Sequence, residues 1–358
     1  MRVAIAHDAF TQRGGAERVV WTWLKTLDVH SLTTLTAADG ALDEAPCPVT
    51  YSRLHRFRIF RRAMKVFLPV LPLVARNTRI PAGADAALVS TSGIAHYFRS
   101  PVPRVLYWHT PARWLYAPAD YTLGSPSAVR LALKLLTPYL LRLDQRSFDR
   151  SAVHLCNSRA VQQRLHDAYA VDATVVAPPV RQLSSDPVKP STPIPSKFFV
   201  TVSRPKGYKN VSLVAEAAEA AGVGLVAVGG LPNRRRPWPP TIVGLKSISD
   251  GELRWVYRHA QALISASRED FGLTPLEANL EGTPCLVLRA GGFLDSCRPG
   301  LNGDFFEEES VDSVRAALAN FRPSAYQRDS VVAHAATYSP ERHAHKLHEA
   351  LRIAALRH

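Results

Sequence analysis

The stretch that decides the fold is residues 2–26, which run RVAIAHDAFTQRGGAERVVWTWLKT. Its first six residues, Arg2–His7, predict a short buried strand. A turn follows at Arg13-Gly14-Gly15, and the residues from Ala16 to about Thr26 predict a helix with one apolar side. Strand, glycine turn and helix in this order are typical of a protein with parallel α/β architecture.

The same alternation of strand and helix continues along the chain. Further strands of the first half are predicted at His30–Leu35, Ala86–Ser90, Arg104–His109, Val153–Asn157 and Thr174–Ala177. Proline and serine then break the periodicity up to Ser196, and a second series starts at Lys197–Ser203. We therefore expect two doubly wound, Rossmann-like domains that face a central cleft, with ligands at the carboxyl edges of the sheets.

Domain boundaries follow from that break and from the last apolar helix. We predict an N-terminal domain over residues 1–178 and a C-terminal domain over residues 179–338. Residues 339–358 predict a helix whose apolar face, which includes Leu347 and Leu351, packs back on the N-terminal domain.

The charge balance is strongly basic. The 358 residues include 44 Lys and Arg against 30 Asp and Glu, a formal net charge of +14 at pH 7. Such an excess implies an anionic partner, but charge alone does not choose between nucleic acid, a phospholipid surface and a phosphorylated substrate. Because the sequence has no helix-turn-helix, zinc or RNP pattern, nucleic acid is not expected.

The strongest candidate for a binding site is the run from Glu269 to Glu277, EDFGLTPLE, which leads from a predicted buried strand into a helix. Glu269 and the amides of Phe271–Leu273 can bind sugar hydroxyls, and Glu277 can bind a vicinal diol through both carboxylate oxygens. A structural role competes for Glu277, since Thr274 would be the N-cap and Glu277 the third helical residue of a capping box. The sequence leaves both roles open.

Two further loops carry groups that suit a phosphate. Arg204 and Lys209 follow the strand Lys197–Ser203 and could converge on a diphosphate, the arginine through its planar fork and the lysine as a point charge. A solvated basic loop is the competing interpretation. Gly14 and Gly15 leave room for a phosphate at a helix N-terminus, which is a weak signal by itself.

His109 ends a predicted strand at the mouth of the first sheet. It could contact substrate there, or it could serve only as a structural hydrogen-bonding group. The sequence has no Asp-x-Asp pair of the kind that would hold Mg²⁺ on a nucleotide diphosphate. We therefore expect no metal and no other cofactor, with phosphate neutralised by Arg204, Lys209 and helix dipoles.

Residues 51–79 carry many basic side chains and no acidic one, interleaved with aromatic and aliphatic residues. This composition favours a segment that lies on an anionic bilayer. The competing interpretation is a solvated helix whose apolar side belongs to the core. The side chains expected to contact the membrane are Arg56, Arg58, Arg61, Arg62 and Lys65.

With these motifs in place, the chain resembles the family 4 retaining glycosyltransferases of GT-B fold. Within that family it looks most similar to bacterial mannosyltransferase-like members that build O-antigen and exopolysaccharide units. Glu269–Glu277 resembles the family's Glu-x₇-Glu motif, Ser203–Lys209 its diphosphate clamp, His7–Glu17 its glycine loop and His109–Arg113 its His-Thr-Pro-x-Arg segment. The resemblance covers nearly the whole chain.

This resemblance implies metal-independent transfer of a hexose, with mannose favoured, and with retention of configuration. The donor would be a nucleoside diphosphate sugar, GDP-mannose before a UDP-sugar, bound by residues 179–338. The acceptor would be a glycan or a polyprenyl-linked glycan, bound by residues 1–178. The residues implied in catalysis are His109, Glu269, Arg204 and Lys209. The residues implied in donor binding are Gly14, Gly15, Ser203, Arg204, Lys209, Glu269, Phe271, Gly272, Leu273 and Glu277.

The basic segment adds a location to this picture. We expect a cytoplasmic enzyme that associates peripherally with the inner face of the cytoplasmic membrane. Two other functions remain open on the sequence. One is a non-catalytic, GT-B-like protein that binds an anionic membrane or nucleic acid through its charge, and the other is a GT-B nucleotide-sugar epimerase.

Overall fold

A computed structural model of the chain describes residues 1–12, 14–62, 64–117, 127–202 and 209–357. The predicted site residues Ser203 and Arg204 lie outside these ranges, and so does the side chain of Lys65. The chain divides into two compact units. Unit 1 is Met1–Pro179 together with Pro340–His358, and unit 2 is Val180–Ser339.

Within the described residues, unit 1 is built on a parallel sheet of seven strands in the order β3-β2-β1-β4-β5-β6-β7. The strands are β1 Val3–His7, β2 Val29–Thr34, β3 Val49–Tyr51, β4 Ala86–Thr91, β5 Arg104–Trp108, β6 Val153–Cys156 and β7 Thr174–Val175. The order reverses between β1 and β4, which makes their carboxyl ends the topological switch point where open parallel sheets bind ligands.

Unit 2 repeats this plan with six described strands in the order β10-β9-β8-β11-β12-β13, again all parallel. They are β8 Phe199–Val202, β9 Leu225–Val228, β10 Ile242–Leu245, β11 Leu263–Ser265, β12 Cys285–Leu288 and β13 Gly303–Phe306. Its switch point lies between β8 and β11. The two sheets confirm the predicted fold class, an α/β chain with two doubly wound, Rossmann-like domains.

The helices of the described residues cover the faces of these sheets. In chain order they are α1 Gly15–Thr26, α2 Arg58–Arg62, α3 Leu71–Arg76, α4 Arg113–Tyr116, α5 Ser127–Ser147, α6 Arg159–Tyr169, α7 Val211–Ala221, α8 Asp250–His259, α9 Leu273–Leu280, α10 Phe293–Ser296, α11 Val311–Asn320, α12 Arg328–Ala336 and α13 Pro340–Leu356. None of them is both long enough and apolar enough to cross a membrane.

The core of unit 1 follows from the pleat of its central strands. Val3 and Ile5 on β1 pack in one cluster with α1 and α13, whereas Ala4 and Ala6 pack in a second cluster on the opposite face. All five residues of β1 are buried, as expected for a parallel strand with helices on both sides.

The last helix is fixed to unit 1 by a buried histidine. The indole Nε1 of Trp23 on α1 donates to Nε2 of His343 at 2.8 Å, and Nδ1 of His343 contacts the carbonyl oxygen of Ala177 at 2.8 Å. Because Nε2 accepts, Nδ1 carries the proton and donates to that carbonyl. Leu347 and Leu351 of α13 are fully buried in the same cluster.

Residues 51–79, predicted to lie on a bilayer, fold as short pieces and not as one helix. The pieces are the end of β3, the 3₁₀ turns Arg53–Arg56 and Met64–Phe67, α2 and α3. Phe60 is buried in the core at 1% exposure, whereas Ile59 is 65% exposed and Phe57 46% exposed. Around these outward side chains, Arg56, Arg58 and Arg62 are exposed, and Arg61 pairs with Asp39 at 3.3 Å. The segment thus contributes to the core and also presents a basic, partly apolar surface.

Candidate functional site

The carboxyl edge of unit 2 brings together two of the predicted residues. Glu269 lies in the loop that follows β11, and Lys209 lies just before α7. The Lys209 ammonium forms an ion pair with Oε1 of Glu269, and both side chains are about three-quarters buried, with 24% and 22% exposed. Because β8 and β11 are neighbours across the switch point, the fold places this pair where a ligand of unit 2 would bind.

Hydrogen bonds from serine and asparagine hold the pair in place. Oγ of Ser267 donates to Oε1 of Glu269 at 2.8 Å, and Ser265 Oγ lies 2.9 Å from Ser267 Oγ. Nδ2 of Asn210, the residue after Lys209, donates to the carbonyl oxygen of Ala266 at 2.8 Å. The two loops are therefore joined by the ion pair and by the Asn210 hydrogen bond, while the serines hold Glu269 within its own loop.

The space beside Glu269 is narrow. Ser265, Ser267, Glu269, Gly272 and Thr274 are among the residues that line a cavity of about 10 Å³, which is room for about one water molecule. Residues 203–208, which include the predicted site residues Ser203 and Arg204, lie outside the described residues. The described part of the site thus consists of hydroxyl groups of serine and threonine, the Glu269 carboxylate and the Lys209 ammonium.

Gly272 shapes the loop between Glu269 and α9. Its φ is +84°, which favours glycine, and a Cβ atom there would lie 2.3 Å from the ring of Phe293. Gly272 is the N-cap of α9, and no side chain caps that helix. Phe271, which precedes it, is buried at 4% exposure, and Leu273 is the first helical residue. The uncapped first turn of α9 can offer backbone N–H groups to an oxygen-rich ligand.

The structural role considered for Glu277 is wrong. Since α9 begins at Leu273, with Gly272 as N-cap, Thr274 is inside the helix and Glu277 is not at the third helical position. Glu277 is instead buried at 7% exposure, with Tyr257 OH 3.5 Å from its Oε2. Burial of a carboxylate costs free energy unless hydrogen bonds or charges compensate it, and the Tyr257 hydroxyl is one such partner.

The predicted glycine loop of unit 1 carries a carboxylate at its centre. Gly14 is the N-cap of α1 and Gly15 its first residue, and the backbone N–H of Gly14 donates to Oε2 of Glu17 at 3.1 Å. A Cβ atom on Gly14 would lie 2.6 Å from the same oxygen. An anion that approached this helix end would have to displace the Glu17 side chain from it.

His109 belongs to a buried chain of hydrogen bonds at the carboxyl edge of unit 1. Its Nε2 lies 2.9 Å from Oγ of Ser90, and Nδ1 of His7 lies 2.9 Å from the same oxygen. Burial lowers the pKa of His7 to about 4, and burial with a smaller effect of His343 lowers that of His109 to about 3. Both imidazoles are neutral at pH 7, so Ser90 donates to one of them and accepts from the other. His109 is therefore a neutral hydrogen-bonding group at pH 7 and not a strong base.

Two buried polar atoms beside His109 have no hydrogen-bond partner within the part of the chain that the structure describes. They are Oγ1 of Thr110 and Oδ1 of Asn157. Nδ2 of Asn157 donates to the carbonyl oxygen of His109 at 3.1 Å, which fixes the orientation of its amide. Buried polar atoms normally have partners, so these two are placed to receive a hydroxyl group or a water molecule.

Sequence reasoning missed the role of Asp8. Its carboxylate accepts the backbone N–H of Ser92 at 2.6 Å and that of Ile94 at 3.3 Å, and the N–H of Ala95 as well. Asp8 follows β1 and these amides follow β4, so the carboxylate shapes the loop at the switch point of unit 1. The sequence signal that indicates this role is the position of Asp8 directly after the first predicted strand.

No metal ligand set appears among the described residues, where no group of three or more His, Cys, Asp or Glu side chains could hold an ion.

Comparison with known proteins identifies a family for part of unit 2. Residues 185–335 match the model of the family described as Glycosyl transferases group 1. A glycogen synthase of Xanthomonas axonopodis pv. citri is 27% identical over 133 residues, which are 34% of this chain and 28% of that protein. A glycogen synthase of Chlamydia pneumoniae is 37% identical over 83 residues, which are 23% of this chain and 17% of that protein. The matches thus span less than a third of the length of these relatives.

Solved structures resemble the whole chain. Anabaena HepE, solved in complex with UDP and glucose, has a TM-score of 0.66 at 18% identity and covers 99% of this chain and 100% of its own. The sucrose-phosphate synthase of Thermosynechococcus elongatus has a TM-score of 0.69 at 14% identity, with 99% of this chain and 98% of its own covered. At these identities the likeness shows the fold, which is that of the GT-B glycosyltransferases.

Proposed function

We propose that this chain, in which residues 185–335 match the group 1 glycosyl transferases, is itself a glycosyltransferase that uses a nucleoside diphosphate sugar. The observation that carries the proposal is the ion pair between Lys209 and Glu269 at the switch point of unit 2. It supplies one cation for a diphosphate and one carboxylate for sugar hydroxyls, in a hydroxyl-lined recess.

The proposed chemistry depends mainly on positive charge and N–H groups placed beside the leaving diphosphate. When the sugar leaves the donor, negative charge develops on the diphosphate, and Lys209 together with the amides at the start of α9 stabilises it. Arg204, which lies outside the described residues, is proposed to act beside Lys209. Since no metal is proposed, these groups carry the whole stabilisation of the leaving group.

Unit 1 is proposed to bind the acceptor. Its carboxyl edge presents neutral His109 and the unpartnered atoms of Thr110 and Asn157, which suit the hydroxyl groups of a sugar. A histidine with a pKa of about 3 is a poor base at neutral pH. This supports transfer with retention, in which the acceptor hydroxyl attacks on the face that the diphosphate leaves.

The identity of the donor sugar and of its nucleotide is also proposed. GDP-mannose is the first donor to test and UDP-glucose the second, since one similar structure was solved with UDP-glucose. The purified chain is incubated with GDP-mannose, UDP-glucose, ADP-glucose and dTDP-glucose, and nucleotide release is measured with and without a polyprenyl-linked glycan. Thermal shifts with GDP, UDP, ADP and dTDP show which base is bound.

The result expected is stabilisation by one nucleoside diphosphate and sugar transfer from the matching donor. Conversion of the donor without any acceptor would instead identify an epimerase. If none of the four nucleotides raised the melting temperature and no donor were consumed, the chain would be a binding protein and the proposal would be wrong.

Peripheral contact with an anionic membrane is the second part of the proposal. It is supported by the exposed Phe57 and Ile59 among exposed arginines. Flotation with phosphatidylglycerol vesicles should carry the chain upward, and the change Arg58→Gln/Arg62→Gln should weaken this. The exposed pair Arg235→Gln/Arg236→Gln in unit 2 is the matched control. A chain that stays at the bottom of the gradient contradicts membrane contact.

A further inference from the structure

Unit 1 has a large cavity at the edge of its sheet opposite to His109. The cavity has a volume of about 700 Å³, which is within the range of small-molecule sites. Its wall includes Ser100, Val102 and Pro103, which precede β5, Arg104, which begins it, and Ser151 and Ala152, which precede β6. These residues are at the amino ends of the strands, whereas His109 follows the carboxyl end of β5. With five residues in β5 at about 3.3 Å each, the two places are roughly 15 Å apart.

The wall of this cavity is rich in arginine. Five arginines and one acidic residue line it, namely Arg76, Arg99, Arg104, Arg146, Arg357 and Asp149. They come from different elements: Arg76 ends α3, Arg146 is in the last turn of α5, and Arg357 follows α13. The fold thus gathers positive charge from distant parts of the chain.

The one acidic residue among the described residues that line the cavity, Asp149, already accepts hydrogen bonds from neighbouring residues through both of its carboxylate oxygens. Asp149 Oδ2 accepts from Nε of Arg104 at 3.0 Å, and its Oδ1 accepts from the backbone N–H of Ser151 at 3.0 Å. Burial alone would raise the pKa of Asp149, but the bonds from Ser151 and the charge of Arg104 outweigh it and hold the pKa below its usual range. Nη1 of Arg104 donates to the carbonyl oxygens of His96 and Phe98. Asp149 and Arg104 therefore neutralise each other.

The other four arginines have no such partner. No carboxylate of the described residues forms a salt bridge with Arg76, Arg99, Arg146 or Arg357. All four line the cavity and are exposed, so water still reaches them. Their like charges repel one another, which a bound anion would relieve.

Helix dipoles compensate only part of this positive charge. Three of the four arginines stand at helix C-termini, where a cation is favourable because each end carries about half a negative charge. Three ends together supply about −1.5, against four unpaired arginines. After this compensation, a net positive charge of more than about two remains on the lining. Two phosphodiester groups, a diphosphate or a phosphorylated sugar would balance that charge.

We propose that this cavity is a second ligand site, for a small molecule with at least two negative charges on phosphate groups. The volume fits a molecule of the size of a sugar phosphate, well above that of inorganic phosphate alone. Arg146 contributes a planar guanidinium from the last turn of α5 and Arg357 one from just after α13, and Arg99 and Arg76 add two more positive charges to the lining. The site is independent of Lys209 and of the proposed transfer reaction.

Hydrogen exchange with inorganic pyrophosphate as the probe tests the site on the full chain. Pyrophosphate should slow exchange in residues 99–104 and 146–152, segments far in the chain from Lys209. The variant Arg146→Gln/Arg357→Gln should weaken this protection about tenfold or more in pyrophosphate concentration, since a charge-assisted hydrogen bond contributes about that factor.

A matched control lies on the same two helices. Arg142 on α5 and Arg352 on α13 are exposed and do not line the cavity, so Arg142→Gln/Arg352→Gln should change the protection less than twofold. Circular dichroism establishes that both double variants are folded. Equal weakening in the two variants, or no protection of residues 99–104 and 146–152 in the wild type, would overturn the proposal.

The source of the phosphate is decided by a second arm with vesicles of phosphatidylglycerol and phosphatidylcholine. If vesicles compete with pyrophosphate for the same protection, the ligand is a lipid headgroup. If they do not, the ligand is a soluble phosphate ester. Either result supports the site.

Discussion

The ammonium of Lys209 meets the carboxylate of Glu269 although 60 positions separate them in the chain. Each side chain follows its own strand, and adjacent parallel strands bring the two loops together at one edge. In the proposed reaction the diphosphate takes over the ammonium, so that Glu269 becomes available to sugar hydroxyls. The ion pair thus keeps both binding groups in position until the donor replaces it.

Lys209→Met removes the cation and keeps an unbranched side chain that is only one atom shorter. We expect kcat/KM for the sugar donor to fall about a hundredfold or more, since preorganised charges contribute this much to stabilising a leaving group. Arg268→Gln is the control, because this neighbour is exposed and pairs with Glu309 at 2.9 Å. Steady-state rates of nucleotide release measure both. Equal rates in Lys209→Met and wild type would remove Lys209 from the mechanism.

Glu277→Gln separates a ligand-binding role from a helix-capping role. Because Gly272 caps α9, we expect the melting temperature to change little, while the affinity for the nucleotide falls about tenfold through the lost charge-assisted hydrogen bonds. Ser249→Ala provides the contrast, since Ser249 does cap α8, with its Oγ accepting from Glu252 N at 3.2 Å. That change should cost about 1 kcal/mol of stability and leave nucleotide affinity unchanged. The reverse pattern would return Glu277 to a structural role.

Ser90→Ala breaks the chain between His7 and His109. Two buried ring nitrogens then lose their partner, and we expect a loss of about 1–3 kcal/mol in the free energy of unfolding. Ser92→Ala, two positions further along and just past the end of β4, is the control and should be nearly neutral. Urea denaturation measures both. A stable Ser90→Ala variant would mean that water replaces the hydroxyl.

His343 makes the stability of unit 1 depend on pH. Burial lowers its pKa from 6.5 to about 4, so the folded chain binds fewer protons than the unfolded chain between these values. The free energy of unfolding therefore falls as the pH drops below about 6.5 and levels off near 4, by about 1.4 kcal/mol per pH unit for this group. His7, His109 and His154 act in the same direction.

The variant His343→Gln tests this slope. It should reduce the loss of stability between pH 6.5 and pH 4.5, whatever its effect at neutral pH. His345→Gln, on the same helix but exposed, should leave the slope unchanged. Trp23 stacks on His343 with ring centroids 6.1 Å apart, so tryptophan fluorescence is a suitable measure of unfolding. An unchanged slope in His343→Gln would assign the pH dependence to the other histidines.

Much of the fold could be predicted because burial acts on local patterns. The strands predicted at Ala86–Ser90 and Arg104–His109 agree within one residue with β4 and β5, since parallel strands covered on both faces are continuously apolar. Strand β3, strand β13 and helix α5 were missed. β3 is at the edge of its sheet and only partly buried, and α5 has an exposed, leucine-rich side with a proline inside.

The site was predicted less completely, because spacing along the chain does not fix contacts across the fold. The helix predicted from Pro275 starts at Leu273 instead, since Gly272 adopts a positive φ against Phe293. That difference of two residues removed the capping role of Glu277. Cys285 and Cys297 are 12 positions apart in the chain, yet their sulfur atoms lie 3.8 Å apart.

The sequence by itself determined the two parallel sheets, their glycine turns and the loops that carry the charged groups, because strand and helix periodicity reflects burial that each segment needs wherever it packs. Only the tertiary structure decided which of those groups meet. Ser90 lies between His7 and His109, and five arginines line one cavity, because strand order and helix packing bring distant residues together. Such contacts depend on the arrangement of whole elements, which no local pattern encodes.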